Sequence, residues 1–200
     1  MLHLFPNEKI ILPLEDAIFE YYPNFFEPEI ATSLFQKLVN ETPWQQDNIL
    51  IFNKLIPQPR LTCLFGNSGK PYSYSGITMQ PQPWNSTIMF IKNEVETVIS
   101  ENFTTVLANL YRNENDSNGW HSDNEKELGR NPIIASVSFG EERKFQLKHN
   151  SKTTDKFTLN LQHGSLLLMK EGSQIHYKHQ IPKATSVKKS RINLTFRTLI

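Results

Sequence analysis

The chain is short of cysteine, of long hydrophobic runs and, in one stretch, of acids. Its only cysteine is Cys63. No internal disulfide can form, and a reducing compartment is expected. Cys63 sits in the apolar run LTCLF and reads as a small core residue rather than a nucleophile. The N-terminal stretch MLHLFPNEKIILPLEDAIFEYY has no basic start and is interrupted by proline and acids, so neither a signal peptide nor a membrane span is expected. The expected location is therefore intracellular: cytoplasmic in a bacterium, with a nuclear location allowed in a eukaryote. Internal repeats and low-complexity tracts are missing too. The net charge of +1 names no partner, but its distribution is uneven. No acidic residue lies between Asp47 and Glu94, an interval holding Lys54, Arg60, Lys70 and Lys92 together with Phe52, Phe65, Tyr72, Tyr74, Trp84 and Phe90. Cations for phosphates interleaved with flat rings for bases are what a nucleic-acid surface needs.

What is present suits one globular domain of 200 residues, 38% hydrophobic and 20% charged. Glu27-Pro28-Glu29 predicts a helix start, with Ile30, Leu34 and Leu38 at helical spacing and a stop near Thr42-Pro43. Asn85 or Ser86 caps a second predicted helix with Ile88, Ile91, Val95 and Val98 as its stripe. NILIFNKL reads as strand, and GNSGKPYSYSG as a loop or hairpin. Beyond about residue 102, the runs FTTVLANLYR, IIASVSFG, RKFQLK, KFTLNL, SLLLM and RINLTFRTLI are short, β-branched and turn-separated. They predict a β-sandwich or small barrel preceded by helices.

Two places carry chemistry. In RINLTFR, alternation puts Arg191, Asn193, Thr195 and Arg197 on one face and Ile192, Leu194 and Phe196 on the other. If the first face lines a barrel, its arginines need anions, and a dicarboxylate would satisfy both. Asn109 and Tyr111 of NLYR share a face in the same way. In NGWHSD, His121 and Asp123 stand two apart, as a pair of metal ligands on one strand would. Of the other histidines, His3 and His149 read as solvated and His163 as a turn hydrogen-bonder. His176 and His179 of QIHYKHQIP remain as candidates for a third ligand, and the pattern alone does not choose between them.

NLYR, WHSD, IIASVSFG, HGSLLLM, HYKHQIP and RINLTFR, in this order and spacing, resemble the AlkB family of Fe(II)/2-oxoglutarate-dependent dioxygenases. The resemblance extends upstream through PQPRLTCLFG, PYSYSG and PQPW to about residue 50. It implies an α+β, β-rich fold: a double-stranded β-helix (jelly roll) with N-terminal helices packed outside. One domain would cover 1–200, with a helix-containing, nucleotide-recognising segment over 1–100 and a jelly-roll catalytic core over 101–200. The resemblance implies Fe(II) on His121, Asp123 and His179, with no catalytic residue beyond these ligands. It implies 2-oxoglutarate on Asn109, Tyr111, Arg191, Asn193 and Arg197, with O2 as the oxidant. The implied reaction is oxidative demethylation of alkylated bases such as 1-methyladenine and 3-methylcytosine in DNA or RNA, releasing formaldehyde, succinate and carbon dioxide.

Substrate candidates follow from the same resemblance. Tyr72, Tyr74 and Ser75 would line the base pocket, beside Trp120, and Glu125 would read the base edge. Phe52 would be an intercalating finger, and Lys54 and Arg60 would contact phosphates. A base must leave the stack before its ring nitrogens can be reached. Asn124 stands where some members carry an acid, which leaves base preference open. The expected state is a monomer acting on DNA or RNA without membrane contact. The competing readings are a 2-oxoglutarate dioxygenase acting on a protein or small molecule, a non-catalytic nucleic-acid-binding module, and a zinc hydrolase. The last has no use for two inward arginines.

Overall fold

The computed structural model describes residues 8–51, 54–67, 72–74, 77–152, 156–186 and 188–200. Before the midpoint the elements are β1 (Ile10–Ile11), β2 (Phe19–Tyr22), α1 (Pro28–Glu41), β3 (Asn48–Ile51), β4 (Lys54–Pro57), β5 (Leu61–Gly66), β6 (Tyr72–Tyr74), β7 (Ile77–Met79) and α2 (Ser86–Glu96). After it come β8 (Thr105–Tyr111), β9 (Asn118–His121), β10 (Ile134–Gly140), β11 (Arg143–His149), β12 (Lys156–Leu161), β13 (Ser165–Met169), α3 (Ser173–His176), β14 (Tyr177–Ile181) and β15 (Arg191–Arg197).

Two sheets form the body. The larger has seven strands in the order β1-β2-β13-β10-β15-β8-β5, and the smaller has four, β12-β11-β14-β9. The strand pairings within both sheets are antiparallel among the described residues. This is the two-sheet arrangement of a jelly roll. The larger sheet takes β1, β2 and β5 from the first hundred residues, so residue 100 does not divide the β core from what precedes it. β3–β4 and β6–β7 are separate two-stranded ribbons.

Both helices begin as their sequences dictate. Pro28 opens α1, where a missing amide hydrogen costs nothing, and Glu29 sits in its first turn. The Asn85 side chain accepts from the amide of Ile88 to cap α2. Ala31, Leu34 and Leu38 of α1, with Ile88, Ile91 and Val95 of α2, pack on one face of the larger sheet against Ile192, Leu194 and Phe196. Val98 lies just past the end of α2 and still packs against that cluster. A second cluster, including Leu107, Leu167, Phe145 and Leu147, fills the space between the sheets. β15 is therefore buried on both faces, and all seven of its residues are buried. Its apolar side faces the helices, and its polar side faces the inter-sheet space.

Gly172 precedes α3 with φ of 76°, and a Cβ there would stand 2.0 Å from the Asp16 carbonyl oxygen. Only glycine fits both the backbone and the approach. Among the described residues, no helix is long and apolar enough to cross a membrane.

Candidate metal centre and co-substrate pocket

His121 ends β9 and His179 lies in β14, and the register sets them directly opposite each other. Their ring centroids are 4.2 Å apart. Asp123 follows two residues after His121, and one ligand atom from each of the three lies within 4.8 Å of the others. His176, the rival third candidate, instead stacks beside His149 at a centroid distance of 5.8 Å.

The local bonds prepare these side chains as ligands. The carbonyl of Gly119 accepts from Nδ1 of His121 at 2.7 Å, so Nε2 is the unprotonated nitrogen, and it accepts from Nδ2 of Asn118 at 3.1 Å, a bond a metal would replace. Nε2 stands 4.0 Å from Oδ1 of Asp123. Phe145 stacks on His179 at a centroid distance of 5.2 Å and fixes its ring. Arg197 bonds Oδ2 of Asp123 at 3.1 Å, while Oδ1 is buried without a hydrogen-bond partner. Burial works against ionisation of Asp123, but the charge of Arg197, then His179 and His121, outweighs it and holds the carboxyl down at about 2. Burial pushes His179 down to about 3, and it pushes His121 in the same direction. At neutral pH the site thus offers two neutral imidazoles and a carboxylate with one oxygen unspent. Two nitrogens and one oxygen of this kind fit Fe(II).

Above the triad, β15 and β8 lie side by side in a register that pairs Arg191 with Tyr111 and Asn193 with Asn109. Arg191 is 1% exposed. Its Nη2 donates to Oγ of Ser138 at 2.9 Å, and its carbon Cζ lies 5.1 Å from the centre of the Tyr111 ring. Its Nε and Nη1 are buried without partners. Burial pulls the guanidinium down to about 10, with Tyr111 acting in the opposite direction. A buried cation with two idle donors fits a carboxylate, and so fits one end of 2-oxoglutarate. Asn193 donates to Oγ of Ser136 at 2.8 Å and accepts from Thr195 at 2.9 Å.

The two arginines divide the pocket: Arg197 bonds Asp123 at the metal end, and Arg191 stands away from it as the partner for a far carboxylate. Arg60 is corrected: it is 4% exposed, donating to Oδ1 of Asn109 at 2.8 Å and to the Ser117 carbonyl at 3.3 Å. It supports the co-substrate wall from inside and does not reach an outside phosphate. His149, expected in solvent, is 7% exposed and lies 3.3 Å from Asp16. His163 does bond in a turn, accepting from the amide of Gly140.

Lys54 is exposed on β4. Glu125 is partly buried, two residues past Asp123, and precedes a 3-10 turn over Lys126–Leu128. Trp120 alternates with His121 and turns to the opposite side of its sheet, where Lys148 Nζ stands 4.4 Å over its ring. β6 carries Tyr72 and Tyr74 opposite Met79 and Ile77. Phe52 and Ser75 lie outside the described residues.

Two features escaped the sequence reading. Oε1 of Gln174, in α3, accepts from the amide of Asp123 at 2.8 Å. Nothing in GSQIHYKH distinguishes this glutamine. Ser136 and Ser138 hold Asn193 and Arg191. The alternation of ASVS in β10 carried that signal, because small hydroxyls there make room for long polar side chains opposite.

The comparisons with known proteins agree with this geometry. Residues 19–197 match the 2OG-Fe(II) oxygenase superfamily. The chain is 40% identical over 186 residues to alpha-ketoglutarate-dependent dioxygenase alkB homolog 3 of Bos taurus, covering 88% of this chain and 64% of that protein. It is 34% identical over 189 residues to DNA oxidative demethylase ALKBH2 of Homo sapiens, covering 90% of this chain and 72% of that protein. The solved structure of OsALKBH1 superposes with a TM-score of 0.67 at 13% identity, covering 90% of this chain and 97% of that one. The chain spans 64% and 65% of the first two curated relatives it matches. Helices on one side of a jelly roll, a buried His-Asp-His set and an arginine strand beside it, together with these matches, make the chain a member of the AlkB family within the 2OG-Fe(II) oxygenases.

Proposed function

We propose that this protein is an Fe(II)/2-oxoglutarate-dependent dioxygenase that removes methyl groups oxidatively from alkylated bases in DNA or RNA. One observation carries the reading: a single inter-sheet space holds an unspent carboxylate oxygen on Asp123 beside two histidines, and an arginine, Arg191, with two idle donors. The names of the relatives, alkB homolog 3 dioxygenases and DNA oxidative demethylases, support the same reaction and polymer class.

His121, Asp123 and His179 would hold the iron, and Arg191, with Tyr111 beside it, would hold the far carboxylate of 2-oxoglutarate. Bound Fe(II), 2-oxoglutarate and oxygen supply the oxidation of an N-methyl group, with the co-substrate leaving as succinate and carbon dioxide. Arg197 neutralises part of the Asp123 charge and aims its second oxygen. Gln174 fixes the backbone of Asp123. Burial keeps water away from both. The hydroxymethyl product then falls apart to formaldehyde and the restored base. Lys54, exposed on its ribbon, Tyr72 and Tyr74 of β6, and Glu125, two residues past Asp123, are residues we assign to the nucleic acid at the site itself.

The test is formaldehyde release from an oligonucleotide carrying 1-methyladenine or 3-methylcytosine. Release should require Fe(II) and 2-oxoglutarate and should vanish in Asp123→Ala. If succinate forms only when a protein or small molecule is added, the nucleobase assignment fails.

A further inference from the structure

The four-stranded sheet has two faces, and only the inner one belongs to the site described above. On the outer face, register sets Lys148 of β11 directly opposite Lys156 of β12 and Lys178 of β14. Strands lie about 4.8 Å apart, so the Cα atoms of the three lysines form a row roughly 10 Å across. Like charges directly opposite in a sheet are destabilising. Among the described residues no carboxylate shares these strand positions, because the outward ones hold Lys144, Gln146, Thr158, Asn160, Gln180 and Trp120 besides the row. Among the described ion pairs, none involves Lys144, Lys148, Lys156 or Lys178. At the β9 edge the row meets the Trp120 ring, under Lys148 at 4.4 Å. Beyond Lys144 it runs into a cavity of about 350 Å³ that adds Lys183, with Glu142 on its rim.

We propose that this outer face is a docking track for the sugar-phosphate backbone of a single-stranded nucleic acid, flanking the base held at the metal centre. The inference rests on the nucleic-acid reading of the site. A row of cations with no ion pair among the described residues, beside a flat ring, matches a chain of phosphates interleaved with bases. Trp120 and His121 are consecutive residues facing opposite sides of the edge strand. A strand lying on the outer face therefore passes round β9 to bring a base to the inner one. Acidic lipid headgroups match less well, because the outward positions of these strands offer no aliphatic side chain to enter a bilayer.

The test uses the triple variant Lys148→Gln/Lys156→Gln/Lys178→Gln in the full chain. Each single-strand phosphate contact contributes about 0.7 to the salt slope, so the slope for a labelled unmodified 30-mer should fall by about 2. The KM for a methylated 30-mer should rise on the order of 10- to 100-fold at about 0.1 M salt. Turnover of a methylated trinucleotide should stay within about twofold, being too short to reach the row. The melting temperature should not fall, since relieving opposed charges costs the fold nothing. An unchanged salt slope, or equal losses on both substrates, overturns the track. So does a variant that loses binding to phosphatidylserine vesicles while keeping the oligonucleotide. If wild type releases no formaldehyde but the difference in salt slope between wild type and variant persists, the track stands and the demethylase reading falls.

Discussion

Replacing Arg191 with methionine should move stability and co-substrate binding in opposite directions. Burial takes the guanidinium from its usual 12.5 down to about 10. That displacement is roughly 3 kcal/mol of disfavoured charge in the ligand-free protein. Methionine fills similar space without it, at the loss of the Ser138 bond, which contributes about 1 kcal/mol. The net gain of about 2 kcal/mol should raise the melting temperature by about 4–8 °C for a chain of this size. The reverse holds once 2-oxoglutarate is present. In wild type with Mn(II) in place of iron, 2-oxoglutarate at about a hundred times its Kd should add roughly 2.7 kcal/mol, a further 5–10 °C or so. The variant should show almost no such increment. Thermal melts of both proteins with and without 2-oxoglutarate make the check. The reasoning is refuted if the variant melts below wild type without co-substrate, or keeps the 2-oxoglutarate increment.

Three further outcomes are expected. Gln174→Leu removes the acceptor for the Asp123 amide and should weaken Mn(II) binding about 10- to 100-fold, read by EPR titration, while Gln174→Glu should recover most of it. Arg60→Ala should weaken 2-oxoglutarate binding and leave the salt slope for oligonucleotide binding unchanged, whereas Lys54→Ala should lower that slope by about 0.7. Asp116, buried against its own ionisation, is held below the usual carboxylate range by the side chain and amide of Arg112. Because its folded value is depressed, its contribution is present above about pH 4 and lost as pH falls through the folded value. Asp116→Asn should therefore flatten the acid side of a urea-midpoint profile.

Where the sequence was legible, one period decided one element. RINLTFR alternates, and the structure buries Ile192, Leu194 and Phe196 under the helices and turns the arginines inward. Pro28 and Asn85 mark helix starts because each answers a local backbone need. Arg60 was misread because an arginine among aromatics carries no local sign of burial. Its partner Asn109 is 49 residues away, across the β5–β8 pair. His149 looked like a turn residue because Asp16, which faces it, comes from the other end of the chain. NILIFNKL read as one strand, but it holds two, β3 and β4, paired with each other. Local composition does not say where a hydrophobic run folds back.

The smaller sheet ends at β9, which pairs on one side only, across an irregular register between His179 and Ile181. Such an edge is the first part of a sheet to fray. Because His121 and His179 face one another from β9 and β14, an ion gripped by both is also a rivet across that seam. Iron supply then registers in the backbone. The stripped protein should exchange the amide hydrogens of β9 early and admit proteases near Gly119, and iron should close both routes. A cell short of iron would be left with a molecule that is idle and also easier to degrade.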